Sequence, residues 1–122
     1  MPIRLLLFAV LIVPAPGQTL RDAAGARGVH FGTCAAAMFL GENDYTQVLA
    51  REYNQLEPEI EMKFGPIQPG PETFAFERPD SLVEFARTHG MRIRGHTLVW
   101  HSQNPPWLAK GSFSAEQMSG SL

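Results

Sequence analysis

The chain has 122 residues, 44% of them hydrophobic and 18% charged, with ten basic and twelve acidic side chains and a formal net charge of −2. Such a composition supports a soluble core at the small end of single-domain size. It carries no clustered basic face of the kind nucleic-acid binding requires, and its one cysteine, Cys34, excludes an intrachain disulfide and reads as a small buried apolar residue.

Residues 1–17 form a segment of their own. Met1–Arg4 brings one positive charge, Leu5–Val13 is an unbroken apolar run, and Pro14–Gly17 follows. The pattern predicts a secretory signal cleaved after Gly17. The apolar run is far shorter than the ~20 residues of a membrane span. The plainer alternative is a short buried strand. On the signal reading the mature chain is 18–122, it works outside the cytoplasm (extracellular or periplasmic), and no membrane anchor remains.

Alanine-rich Leu20–Arg27 predicts a short helix, and Gly28–Cys34 (GVHFGTC) alternates as a strand. Gly41–Asp44 marks a turn and a helix start, with Asn43 or Asp44 as cap. Tyr45, Val48, Leu49, Tyr53 and Leu56 follow at near-helical spacing. From Leu56 to Met62 the period becomes two, with Glu57, Glu59, Glu61 and Lys63 on one face and Leu56, Pro58, Ile60 and Met62 on the other. An ordinary half-buried strand reads this way, and so does a strand of a β/α barrel. Phe64–Pro79 is rich in proline and predicts a loop tied down by Phe74 and Phe76. Asp80–His89 predicts a helix stopped at Gly90, and a strand runs through Arg94 and His96. Ser114 and Gln117 are spaced as a capping box. Strands alternating with helices imply parallel pairing with right-handed crossovers.

The chemistry concentrates in Met91–Trp107 (MRIRGHTLVWHSQNPPW), which holds two histidines, two tryptophans, a glutamine and an asparagine. Rings and amides in such density suit a sugar-binding cleft. His96 and His101 lie five apart, on opposite faces of a strand, with no third ligand nearby, so a metal centre is not expected. No cofactor is expected either. Arg94 shares a strand face with His96, and an inward guanidinium needs a carboxylate; Glu59 or Glu61 of the adjacent strand is the expected partner. Taken alone, Glu59 and Lys63 could be a surface ion pair, His96 a structural histidine, and Trp100 and Trp107 core or loop anchors.

Five stretches carry a family likeness: FGT at Phe31–Thr33, REYNQ at Arg51–Gln55, PEIEMKF at Pro58–Phe64, HGMRIRGHTLVWHSQNPPW at His89–Trp107 and FSAE at Phe113–Glu116. Together they make residues 20–117 resemble the amino-terminal part of glycoside hydrolase family 10, the endo-1,4-β-xylanases. The resemblance implies an eightfold β/α barrel, of which this chain supplies about the first three βα units. It implies hydrolysis of xylan with retention, by an acid/base glutamate after the fourth strand and a nucleophile on the seventh; both are expected beyond Leu122. It matches Glu59, Lys63, His96 and Trp100, and more weakly Gln103, to residues that hold the sugar just before the cleaved bond, and xylan or a xylooligosaccharide is the implied partner. It leaves Trp107 as a structural pin beside Pro105 and Pro106.

The chain departs from the family pattern at three positions. Glu57 stands for a usual threonine, Ile60 for an asparagine that contacts substrate, and Phe64 for a tryptophan. Rival expectations are a non-catalytic carbohydrate-binding barrel and a barrel glycosidase acting on β-glucan, since fold alone does not settle function.

Overall fold

The computed structural model describes residues 17–120; all of the expected signal segment except Gly17 lies outside them. Three parallel strands, β1 (Gly32–Ala35), β2 (Gln55–Pro58) and β3 (Arg92–Ile93), form one sheet in the order β1-β2-β3. Between them run α2 (Asn43–Glu52) and α4 (Glu77–Thr88), with α1 (Leu20–Gly25) ahead of β1. Single turns α3 (Phe64–Ile67) and α5 (Pro106–Ala109) and the helix α6 (Ala115–Gly120) complete the order. Strand, helix and strand repeat as the alternation predicted.

The alternation on β2 shows why. Leu56 is fully buried and Pro58 nearly so, while Gln55 and Glu57 are half-buried on the other face. The buried face meets Ala35 of β1, Leu49 of α2, Leu82 and Ala86 of α4, and Met91 before β3. Tyr45, Tyr53, Phe85 and Ile93 pack around them. The helices thus cover one side of the sheet, and the other side, bearing Cys34, Glu57 and Arg94, is the polar lining.

Several expectations need correction. Cys34 is exposed, because it alternates with buried Ala35 and lies on the uncovered face. The helix from Asn43 ends at Glu52, and Tyr53 is already extended, so Tyr53 lies on the approach to β2 and Leu56 within it. Neither Asn43 nor Asp44 caps it; Glu42 is the capping residue and offers no side-chain bond. The period of two in Leu56–Met62 stops at Pro58, where the chain bends, leaving Ile60 exposed and Glu61 buried. The proline-rich loop contains α3, and α4 begins at Glu77, three residues early. Pro79 fits there because amides of a first helical turn have no partner inside the helix.

Other local signals hold. Gly90 (φ +58°) ends α4 in the left-handed region. Ser114 and Gln117 exchange backbone-to-side-chain bonds of 2.8 and 3.2 Å, a closed capping box. Thr19 and Asp22 form another at α1. Arg21 of α1 fastens the lower end of the unit. Its guanidinium donates to the carbonyls of Ala50 (2.9 Å) and Tyr53 (3.3 Å) at the end of α2, and of His89 (2.8 Å) and Gly90 (3.0 Å) at the end of α4. Carbonyls there lack helical partners and carry the negative end of the dipole.

Candidate sugar-binding site

The site grows from the carboxyl ends of β2 and β3. Register pairs Gln55 with Arg92 and Leu56 with Ile93, and the Arg94 amide continues the ladder to Leu56 O at 2.9 Å. Two residues on, His96 stands beside the chain leaving β2. Glu59 donates its amide to Ala35 O at 2.9 Å, then residues 60–63 turn, closed by Lys63 N to Ile60 O at 2.9 Å.

Lys63 is 6% exposed. Its ammonium donates to His96 Nδ1 at 3.0 Å and to the His96 carbonyl at 2.8 Å. An ammonium has donors only, so Nδ1 accepts and the ring proton sits on Nε2. Trp100 follows, its ring centroid 6.3 Å from that of His96 at 63° and 5.1 Å from that of His101 at 70°. Lys63, His96 and Trp100 therefore form one continuous contact.

Gln103 joins through its backbone. Its carbonyl accepts from Gly65 N–H at 2.8 Å, and its φ is +54°, a region costly for a residue with a Cβ. Gly65 is needed at that approach: a Cβ there would lie 2.7 Å from the Gln103 carbonyl oxygen. The Gln103 side chain is exposed. Glu59 is exposed on the same loop as Lys63, with no side-chain partner among the described residues.

Trp107 behaves as the expected pin. Its indole donates to Gln68 O at 3.0 Å, and its ring meets Phe64 and Phe113 edge-on, with centroids 6.0 and 6.3 Å apart. Pro105 beside it is fully buried. Arg94 pairs with Glu57 at 3.5 Å, not with Glu59 or Glu61. The register dictates this, because the pairing that sets Leu56 against Ile93 sets Glu57 against Arg94. Glu61 is engaged elsewhere. It is 3% exposed, accepts from Ala37 N–H at 2.7 Å and Ile60 N–H at 3.3 Å, and lies 3.8 Å from Arg78 Nη2.

Sequence reasoning missed that role, because the alternation placed Glu61 with the lining residues. Asn54 was also missed: it joins the β1 approach to β2, accepting from Phe31 N–H at 2.7 Å and donating to Val29 O at 2.9 Å. The REYNQ stretch was its only visible signal. Groups held away from their ordinary acidity lie outside the site. The Leu20 amide, with Arg51 beside it, holds the Glu52 carboxyl below the usual carboxylate range. Arg87 and then Thr88 do the same to Glu84. Among the described residues no cluster of three or more His, Cys, Asp or Glu converges as a metal site.

Parallel strands with helices on one side, and a site at the strands' carboxyl ends, define a segment of a β/α-barrel protein. The sequence model for "Glycosyl hydrolase family 10" matches residues 19–122, and the chain belongs to that family. It is 41% identical over 83 residues to a β-1,4-xylanase of Dictyoglomus thermophilum, covering 68% of this chain and 24% of that protein. With endo-1,4-β-xylanase B of Thermotoga neapolitana it shares 38% over 102 residues, 81% of this chain and 30% of the relative. Among solved structures, xylanase 10B of Thermotoga petrophila, crystallised with xylobiose, superposes with a TM-score of 0.80 at 31% identity, covering 88% of this chain and 34% of that one. The chain thus spans about a quarter to a third of the length of these relatives.

Proposed function

We propose that the whole protein is a retaining endo-1,4-β-xylanase and that this chain forms one wall of its substrate cleft. The single observation behind the reading is the Lys63–His96–Trp100 contact at the barrel mouth of a family 10 chain. Each member offers something a sugar needs. The third ammonium proton of Lys63 is free to meet a hydroxyl, and charged bonds of that kind contribute about 1.5–3 kcal/mol. Nε2–H of His96 is a second donor. Trp100, 37% exposed, presents an apolar face to the C–H side of a pyranose ring. Glu59 supplies an acceptor, and Gln103 an amide in the loop that carries Trp100.

The wall recognises and does not cleave. Retention requires two carboxyl groups about 5–5.5 Å apart, one attacking carbon and one serving the leaving oxygen. On this reading that pair belongs to the rest of the barrel, and residues 1–17 are a leader that sends the protein out of the cytoplasm.

The test is hydrolysis by the complete protein. Xylan should be cut internally with the β-anomer released first, seen by proton NMR, and the 122-residue chain alone should show no turnover. Binding without hydrolysis would make the protein a carbohydrate-binding barrel, and preference for β-glucan would reassign the substrate. Amino-terminal sequencing of secreted material should begin at Gln18.

A further inference from the structure

Glu61 is a buried charge lying midway between Glu59 and Lys63. We propose that it is a positioning residue: its carboxylate fixes the 59–63 loop against the segment after β1 and against α4, and so sets where Glu59 and Lys63 meet a sugar. The inference rests on the sugar-binding reading above.

The bonds support this role. Oε1 takes the Ala37 N–H at 2.7 Å, where a 3-10 turn (Ala37–Phe39) follows β1. Oε2 takes the Ile60 N–H at 3.3 Å, within the loop itself. Arg78 of α4 approaches Oε1 at 3.8 Å. One carboxylate therefore joins the connections that follow β1 and β2 and the helix that leads to β3. Every group that bonds or pairs with it is a donor, which suits an acceptor-only carboxylate. A buried charge adds little to stability beyond what a well-packed apolar residue would give. Its cost is matched here by control of backbone position.

Apart from the two bonds of the Lys63 ammonium to His96, the loop has few other restraints. Strand pairing ends at Pro58, the Glu59 amide reaches Ala35, and the next closure is the Lys63-to-Ile60 turn. A cavity of about 170 Å³, lined by Ile60, Pro66, Ala75, Glu77 and Pro79 among others, borders the carboxylate. Removing Glu61 would enlarge that space and leave the Ala37 amide unpaired, so the loop would move rather than stay in place.

The experiment uses the complete protein with xylotriose as the probe. Glu61→Ala should raise KM about tenfold with kcat within threefold, as expected when binding shared by ground and transition states is lost. Glu61→Gln keeps an oxygen for Ala37 but turns an NH₂ toward Ile60, and should recover about half of the loss on a logarithmic scale. Leu82→Ala, a core change, should lower Tm while leaving KM unchanged, which separates positioning from simple destabilisation.

If KM for Glu61→Ala stays within twofold of the parent, or if Leu82→Ala raises KM as much, the proposal is overturned. Should Glu61→Ala fail to fold, Glu61→Gln decides alone: a KM more than twofold above the parent supports the role, and a KM within twofold of it ends it. Lys63→Met separates the two levels. If it raises KM and the Glu61 variants do not, only the positioning role fails; if it too leaves KM unchanged, the sugar-binding reading fails first.

Discussion

Replacing Lys63 with methionine removes an ammonium while keeping a long flexible apolar stem in the same buried place. Lys63 has three protons to donate. Two are committed to His96, at 3.0 Å to Nδ1 and 2.8 Å to the carbonyl. One is left for a ligand. Loss of one charged hydrogen bond weakens binding by about 1.5–3 kcal/mol, or about 10- to 150-fold. His96 also loses the partner that fixes its tautomer, which pushes the effect toward the upper end. Stability should change less, because the unpaired Nδ1 and carbonyl of His96 cost about 1–3 kcal/mol while the desolvation of a buried cation is relieved. Lys63→Arg should not restore binding, since a planar fork cannot occupy the site of a compact ammonium. Xylotriose binding by calorimetry and KM on the complete protein give the measure, with thermal denaturation as control. A change under threefold in a folded variant would refute the donor count.

The other expected outcomes are narrower. Ile60 is 46% exposed on the loop between Glu59 and Glu61; Ile60→Asn should tighten xylotriose binding about two- to tenfold by adding one neutral hydrogen bond, with little change in Tm. Leu82 has no exposed surface, so Leu82→Ala should cost about 2–5 kcal/mol in denaturant unfolding, and a cost under 1 kcal/mol would remove it from the core. Trp107→Phe deletes the bond to Gln68 O and should cost about 1 kcal/mol, with near-UV circular dichroism reporting the altered ring packing. Glu52 has a lowered folded pKa, chiefly from the Leu20 amide and then from Arg51. Its contribution is therefore present above the ordinary carboxylate range and fades as pH falls through the folded value. Protection factors of the α1 amides, corrected for the intrinsic exchange rate, should fall in acid, and Glu52→Gln should flatten that pH dependence.

The parallel strands were legible because alternation and helix spacing reflect burial directly. Leu56 and Pro58 facing the helices, with Glu57 opposite, is what a period of two means physically. The same pattern misled beyond Pro58. Alternation assumes an extended chain, and the bend at 59–62 turned Glu61 inward, where it found Ala37 and Arg78. Cys34 was misjudged for a related reason: residue type suggests burial, but its neighbour Ala35 had already claimed the covered face. The partner of Arg94 depended on strand register, which a one-residue slip inverts and which no local signal fixed. His96, Trp100 and Lys63 were singled out through their motifs. Their contact joins residues 33 positions apart and needed coordinates.

Arg21 carries a consequence for the timing of assembly. Its carbonyl partners lie 29 to 69 residues downstream. At a synthesis rate of about 5–20 residues per second, roughly 3–14 s separate Arg21 from the emergence of its last partner. A helix as short as Leu20–Gly25 has no stability of its own in water. Helix α1 is therefore among the last to settle, waiting on α2 and α4 before its guanidinium can lock all three ends together.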